Sequence, residues 1–310
     1  MGLGFLFPGQ GAQVVGMVGD IGAVEEAVPR RFEEASEALG FDLGDIVGNG
    51  PAERLHQTEI TQPALLTAGV ALLDVWLRRN GAEPEVVAGH SLGEYSALVA
   101  AGALEFASAV VLVHERGKLM QGAVPAGQGA MAAILGLDDD AVEACCQDMD
   151  GTVTPANYNS PGQVVIAGAA DAVAAAIEAC KARGARRAVQ LDVSVPSHCA
   201  LMAPASEPLA QLLSDADIRE ARIPVVQNYS AAAATGPADI RDNLLRQLVS
   251  PVRWSESVGT MARSGTEVFV ECGPGNVLAG LARRIDRSLS VHGIGTLDGL
   301  ELALEACLEP

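Results

Sequence analysis

In a chain of 310 residues, 49% apolar types against 19% charged types can bury a large core, which excludes a disordered or collagen-like protein. The 39 acidic residues outnumber the 20 basic ones and leave a formal net charge of −19, the wrong sign for coating a phosphate backbone or an anionic membrane. Aromatics are only 4%, so Ala, Val, Leu and Ile must fill the core, as they do where helices pack on a buried sheet.

Residues 4–7 are a short apolar run closed by Pro8-Gly9-Gln10-Gly11, the pattern of a buried strand entering a tight loop. Nothing basic precedes this run, and no stretch approaches the roughly 20 uncharged apolar residues of a membrane span. Leu6 stands where an N-myristoylation signal needs Ser or Thr. Residues 62–80 predict a long buried helix, with Pro63 near its first turn, apolar residues at helical spacing and a stop at Gly81. A second strand, 86–88, runs through Gly89-His90-Ser91-Leu92-Gly93 into a helix over 94–101.

From Gly127 the pattern changes to short elements: strand 130–135, helix 139–149, strands 152–158 and 163–167, helix 170–183 and strand 188–193. That order, βαββαβ, predicts a small ferredoxin-like domain, residues 127–196, inserted into a larger α/β domain formed by 1–126 and 197–310. A helix over 202–214, strand 224–228, helix 240–248 and strand 268–271 follow. The last strand leads through Cys272-Gly273-Pro274-Gly275 into another helix. The outer segments therefore predict an α/β-hydrolase-like domain with one mostly parallel, helix-covered sheet. Six cysteines without a C-x-x-C, two of them adjacent (Cys145 and Cys146), suit neither a disulfide framework nor a zinc site and point to a reducing, cytoplasmic setting.

The sharpest local signal is Gly89-His90-Ser91-Leu92-Gly93, a G-x-S-x-G between strand and helix. Its glycines allow a turn tight enough to lift the Ser91 hydroxyl above the sheet at a helix N-terminus. An ordinary serine in a glycine-rich turn would fit the bare pattern; the strand before and helix after favour a nucleophile. A serine nucleophile needs a base, and the chain has five histidines. His90 adjoins Ser91, but neighbours on a sharp turn point apart. His56, His114 and His292 lie in charged or loop-like surroundings. His198 lies in Val195-Pro196-Ser197-His198, where the inserted domain returns to the main sheet, although taken alone it reads as a satisfied core histidine. Leu112, Arg116 and Met120 fall four apart on one helical face, so a guanidinium interrupts an apolar stripe. Such a charge needs a carboxylate partner, and the residue by itself favours an internal Asp or Glu. Gly9-Gln10-Gly11 and Gly273-Pro274-Gly275 lack the third glycine of a dinucleotide fingerprint, and no G-x-x-x-x-G-K-[ST] occurs.

These motifs, together with Thr61-Gln62-Pro63, Arg116-Gly117 and Asn157-Tyr158-Asn159-Ser160-Pro161-Gly162-Gln163, resemble in order the malonyl-CoA:acyl-carrier-protein transacylases of bacterial type II fatty acid synthesis. The resemblance spans nearly the whole chain. It implies that Ser91 takes the malonyl group, that His198 is its base, and that the backbone N–H groups of Gln10 and Leu92 form the oxyanion hole. It further implies that Arg116 binds the malonyl carboxylate, that Gln247 orients His198 through its main-chain carbonyl, and that Asn159 and His90 line the pocket. Val-Pro-Ser-His is similar to the fatty acid type of the histidine motif rather than the polyketide types. No cofactor or metal is implied; malonyl-CoA and acyl carrier protein are the expected partners of a cytoplasmic monomer.

Acyl carrier proteins are acidic, as this chain is, so docking needs a local basic face. Lys181, Arg183, Arg186 and Arg187 form the densest candidate, with Arg283 and Arg284 second; either could equally be a solvated helix end. Three rival readings remain at this level: an esterase or thioesterase with the same elbow, a non-catalytic carrier-binding module, and an acyltransferase serving a polyketide synthase or malonate decarboxylase.

Overall fold

The computed structural model describes residues 2–193 and 195–308; residues 1, 309 and 310, at the ends of the expected large domain, and residue 194, in the expected inserted one, lie outside. Among the described residues nine strands run in chain order as β1 Gly2–Phe7, β2 Val86–Gly89, β3 Gly129–Leu135, β4 Val153–Ser160, β5 Gln163–Ala169, β6 Arg187–Gln190, β7 Val225–Val226, β8 Thr266–Glu271 and β9 Ser290–Gly293. The outer segments build a five-stranded sheet of order β7-β2-β1-β8-β9, parallel at every pairing. Its central strand is continuous in apolar residues, with Phe5, Leu6 and Phe7 fully buried, as a strand covered by helices on both faces requires. The middle segment forms an antiparallel sheet of order β4-β5-β3-β6. That is the ferredoxin-like arrangement expected from the βαββαβ pattern.

The helix Thr58–Arg78 is the structural spine of the larger sheet's cover. It is the described helix long and apolar enough to cross a membrane, but 89% of its apolar window is buried inside the protein. The expectation that no stretch comes close to a membrane span is corrected on length and composition; the helix spends its apolar surface on the core. It also starts four residues before the predicted 62, so Pro63 lies inside it. Proline has no N–H to give the carbonyl of Glu59 one turn back, and the His114 ring accommodates this by donating from Nδ1 to that oxygen at 2.7 Å. The helix Phe106–Ala123, which carries His114, crosses so closely that a Cβ on Gly117 would stand 2.5 Å from the Glu59 Cα.

Other differences are local and have physical reasons. The strand predicted over 188–193 ends at Gln190, and residues 191 and 193 turn away to line a cavity. The strand predicted over 224–228 pairs only at Val225–Val226, because the Asn228 N–H binds the Glu94 carboxylate instead of a strand partner. The helix predicted over 202–214 opens as a 3-10 turn, Ala200–Ala205, that contains Pro204, and becomes α-helical at Ser206–Asp215. The small sheet is tied to the large one through β4: the Tyr158 N–H donates to the Val252 carbonyl and the Val252 N–H to the Ala156 carbonyl, both at 2.9 Å.

Candidate active site

Ser91 sits between β2 and the helix Gly93–Ala100. Its φ of 52° is left-handed, a conformation that costs a non-glycine residue about 1–3 kcal/mol and persists only where the surroundings enforce it. Here they do. A Cβ on Gly93 would lie 2.0 Å from the Phe7 carbonyl oxygen, and one on Gly89 would lie 1.8 Å from the Gly93 carbonyl carbon. The helix start is thus pressed onto the end of β1 through two positions where only hydrogen fits. Asn228 clamps the same turn: its Oδ1 accepts from the Ser91 N–H at 2.6 Å and its Nδ2 donates to the Gly89 carbonyl at 2.7 Å.

His198 approaches from the other side, also at a left-handed φ, 62°. Its Nε2 lies 2.7 Å from the Ser91 Oγ and its Nδ1 lies 2.7 Å from the Gln247 carbonyl oxygen. A carbonyl can only accept, so Nδ1 carries the proton and Nε2 presents a lone pair to the serine hydroxyl. Burial, reinforced by the nearby positive charge of Arg116, pulls the His198 pKa down to about 3. The ring is therefore a neutral base at physiological pH.

Arg116 is 1% exposed, and among the described residues no carboxylate pairs with it. The internal salt bridge favoured by the residue alone is absent. Instead Nη1 donates to Gln62 Oε1 at 2.8 Å and Nη2 to Gln247 Oε1 at 3.0 Å, while the guanidinium stands 5.4 Å from the centre of the Tyr95 ring. Its Nε–H has no acceptor among the described residues. Neutral amides and a ring face leave the positive charge with no directly bonded counter-charge among the described residues, while the buried Glu94 carboxylate attracts it from beyond ion-pair distance.

A cavity of about 300 Å³ holds Ser91, His198 and Arg116 together with Gln10, Leu92, Asn159 and His90. The backbone N–H groups of Gln10 and Leu92 meet no acceptor among the described residues, the condition of an oxyanion hole awaiting charge. His90 turns from the serine and shares a 2.8 Å hydrogen bond between its Nε2 and Asn159 Oδ1. Gln247 does more than lend its carbonyl, because its side chain contacts Arg116, Ser91 and Glu94. Sequence reasoning left out Asn228, Glu94 and the part Gln62 plays; Gln62 stood in plain view beside Pro63. Among the described residues, no three His, Cys, Asp or Glu side chains gather as a metal site would need.

Arg284 donates to Gln163 Oε1 at 2.5 Å, and Gln163 lines the cavity. In the small sheet, Leu135 pairs with Gln163 on one side and with Arg187 on the other. Arg187, Gln163 and Arg284 thus form one row across that edge, which joins two stretches of sequence that looked unrelated. Val193 and Val277, 37% and 53% exposed, add apolar surface to the same rim. Lys181 and Arg183 are occupied by Glu178 and Asp148.

The acyl transferase domain family matches residues 4–293. The malonyl CoA-acyl carrier protein transacylase of Escherichia coli K12 is 52% identical over 303 residues, covering 97% of this chain and 98% of that protein. Among solved structures, an acyl carrier protein S-malonyltransferase from Vibrio cholerae O1 superposes with a TM-score of 0.95 at 50% identity, covering 97% of this chain and 99% of that one. A malonyl-transacylase in complex with its type II PKS acyl-carrier protein gives 0.97 at 47% identity, covering 99% and 100%.

Proposed function

The chain belongs to the acyl transferase domain family, and from that premise we propose that Ser91, His198 and Arg116 carry its reaction. That reaction is transfer of a malonyl group from malonyl-CoA to acyl carrier protein. One observation carries the assignment of residues: the Ser91 hydroxyl, hydrogen-bonded to a neutral base, opens into the same small cavity as a buried guanidinium that has no carboxylate of its own.

In the proposed mechanism, the malonyl carboxylate pairs with Arg116 and sets the thioester over Ser91. The Ser91 Oγ attacks the carbonyl carbon as His198 Nε2 takes the proton, and the Gln10 and Leu92 N–H groups hold the oxyanion. Collapse breaks the C–S bond, and His198 returns the proton to the departing CoA sulfur. The phosphopantetheine thiol of the carrier then repeats the sequence on the malonyl-serine ester, and free Ser91 is regenerated. Side chains, two backbone N–H groups and the thiols account for every step. The basic rim of Arg187 and Arg284, with Val193 and Val277 beside it, supports docking of an acidic carrier at the mouth. We place the boundary between a large domain, 1–126 with 197–310, and an inserted one, 127–196, with the cavity between them, and the enzyme as a cytoplasmic monomer.

Intact-mass measurement after incubation with malonyl-CoA tests the assignment. One malonyl adduct should form on Ser91 and discharge when phosphopantetheinylated carrier is added, and Ser91→Ala should form none. Transfer without an adduct, or an adduct on another residue, would remove Ser91 from the mechanism. Discharge to water at the same rate with and without carrier would favour a hydrolase.

A further inference from the structure

Glu94 is fully buried next to the elbow, and among the described residues no cation forms an ion pair with it. A carboxylate in that position is costly, yet both of its oxygens are hydrogen-bonded. Gln227 Nε2 donates to Oε1 at 3.0 Å, while the Asn228 N–H at 2.7 Å and Gln247 Nε2 at 3.0 Å donate to Oε2. Burial still pushes its pKa up to about 7 against those hydrogen bonds.

The consequence lies in Gln247. Its amide nitrogen faces two acceptors, Glu94 Oε2 and the Ser91 carbonyl, each at 3.0 Å. Its amide oxygen faces Arg116 Nη2 at 3.0 Å. In its ionised form the Glu94 carboxylate only accepts, as the Ser91 carbonyl does, and a guanidinium only donates, so only one orientation of the Gln247 amide satisfies both sides. A neutral amide at position 94 could donate as well as accept, leaving the Ser91 carbonyl as the one strict acceptor on that side, and the orientation would be held less tightly. Turned over, Gln247 would point N–H groups at Arg116, and the guanidinium would lose one of its two amide oxygens.

We infer that Glu94 is a positioning residue for acyl-group selection: through the Gln247 amide it fixes the guanidinium of Arg116 where the malonyl carboxylate binds. This inference rests on the proposal that Arg116 reads that carboxylate. Glu94 touches neither the substrate nor the reacting atoms.

The test compares malonyl-CoA with acetyl-CoA in four proteins: the parent, Glu94→Gln, Arg116→Ala and the double variant. Glu94→Gln should lower the malonyl-to-acetyl ratio of kcat/KM by about tenfold to a hundredfold, the weight of a hydrogen bond to a charged group. In the Arg116→Ala background the same change should leave the ratio where Arg116→Ala alone puts it. Equal losses with both substrates, or the same shift with and without Arg116, would reduce Glu94 to a brace of the elbow and overturn the inference. If Arg116→Ala itself preserves the parental ratio, the reading of Arg116 falls and this inference with it. If Glu94→Gln does not fold, Glu94→Asp decides, because it keeps the charge but withdraws it from Gln247. Its ratio should also fall, and an unchanged ratio would overturn the inference.

Discussion

The Nδ1–H of His198 ends on the main-chain oxygen of Gln247, 2.7 Å away. A Ser-His-Asp relay would place a carboxylate there to stabilise an imidazolium. A carbonyl offers a dipole but no charge, so this site holds the base in its useful tautomer while doing less to stabilise the protonated ring. The protonated His198 also faces the charge of Arg116, which burial and that charge register together as a pKa near 3. In the proposed mechanism the negative malonyl group offsets the charge of Arg116 as it binds, so the base should strengthen when the correct substrate arrives.

In the proposed mechanism His198 acts as the neutral form, so its contribution to activity is lost as pH falls through its folded-state pKa. The acid limb of kcat/KM for serine acylation should therefore lie well below the ordinary histidine value of about 6.5. Initial rates measured from neutral pH down to about pH 5 should show no inflection belonging to this ring. An inflection near 6.5 that persists in Glu94→Gln, where the buried carboxylate that titrates near 7 is gone, would mean that His198 is solvated in the working enzyme. His198→Ala should slow both acylation and discharge by on the order of 10²-fold to 10⁴-fold.

The elbow makes a stability prediction. Gly93→Ala would force a methyl group to within 2.0 Å of the Phe7 carbonyl oxygen, so β1 and the following helix must separate. The expected loss is at least about 1–3 kcal/mol with activity abolished. Gly48→Ala is the matched control: it lies in the helix Leu43–Asn49 with nothing within 4 Å of the added atom, and it should gain up to about 1 kcal/mol. Urea unfolding of both variants checks the pair, and equal effects would mean that the turn is looser than its geometry.

Charge reversal at Arg187 and Arg284 should weaken use of acyl carrier protein by several-fold, and added salt should do the same to the parent. Transfer to free pantetheine should stay at the parental rate. Reversal at Lys181 and Arg183 should matter less, since Glu178 and Asp148 already occupy them. Equal losses with both acceptors would place the rim arginines in folding or in the pocket.

Much of this was legible in the sequence where steric demand is strict. The elbow needs hydrogen at Gly89 and Gly93, and a buried parallel strand needs an unbroken apolar run, so both leave short signatures. The antiparallel sheet was legible from its alternation of short elements. Glu94 and Asn228 were not, because their meaning is tertiary: one sits on an almost wholly buried helix and the other follows a two-residue strand. Only the packed chain brings them together across 134 positions. Strand β9 escaped because Val291 is the only one of its four residues that is buried.

Arg116 links a charge stranded on an apolar helix face to the choice of acyl group. In the empty cavity its partners are two amide oxygens and an aromatic face, which orient the guanidinium without neutralising it. In the proposed site a malonyl carboxylate pairs with it directly; an acetyl group leaves it buried without that partner. Sites that keep a polar group waiting in this way reject the analogue that cannot satisfy it by roughly 10⁴-fold or more, far beyond what an apolar pocket achieves. Arg116→Ala should therefore lose most malonyl transfer while keeping or gaining acetyl transfer, with the two kcat/KM values converging. The fold should survive, because among the described residues the guanidinium forms no ion pair; Gln62 and Gln247 each lose one charge-assisted hydrogen bond, and the buried Glu94 loses a nearby positive charge while keeping its three N–H donors. Steady-state rates for both substrates, alongside a thermal melt, decide the matter. A parental malonyl-to-acetyl ratio in a folded variant would show that substrate choice is made by the shape of the cavity and not by this charge.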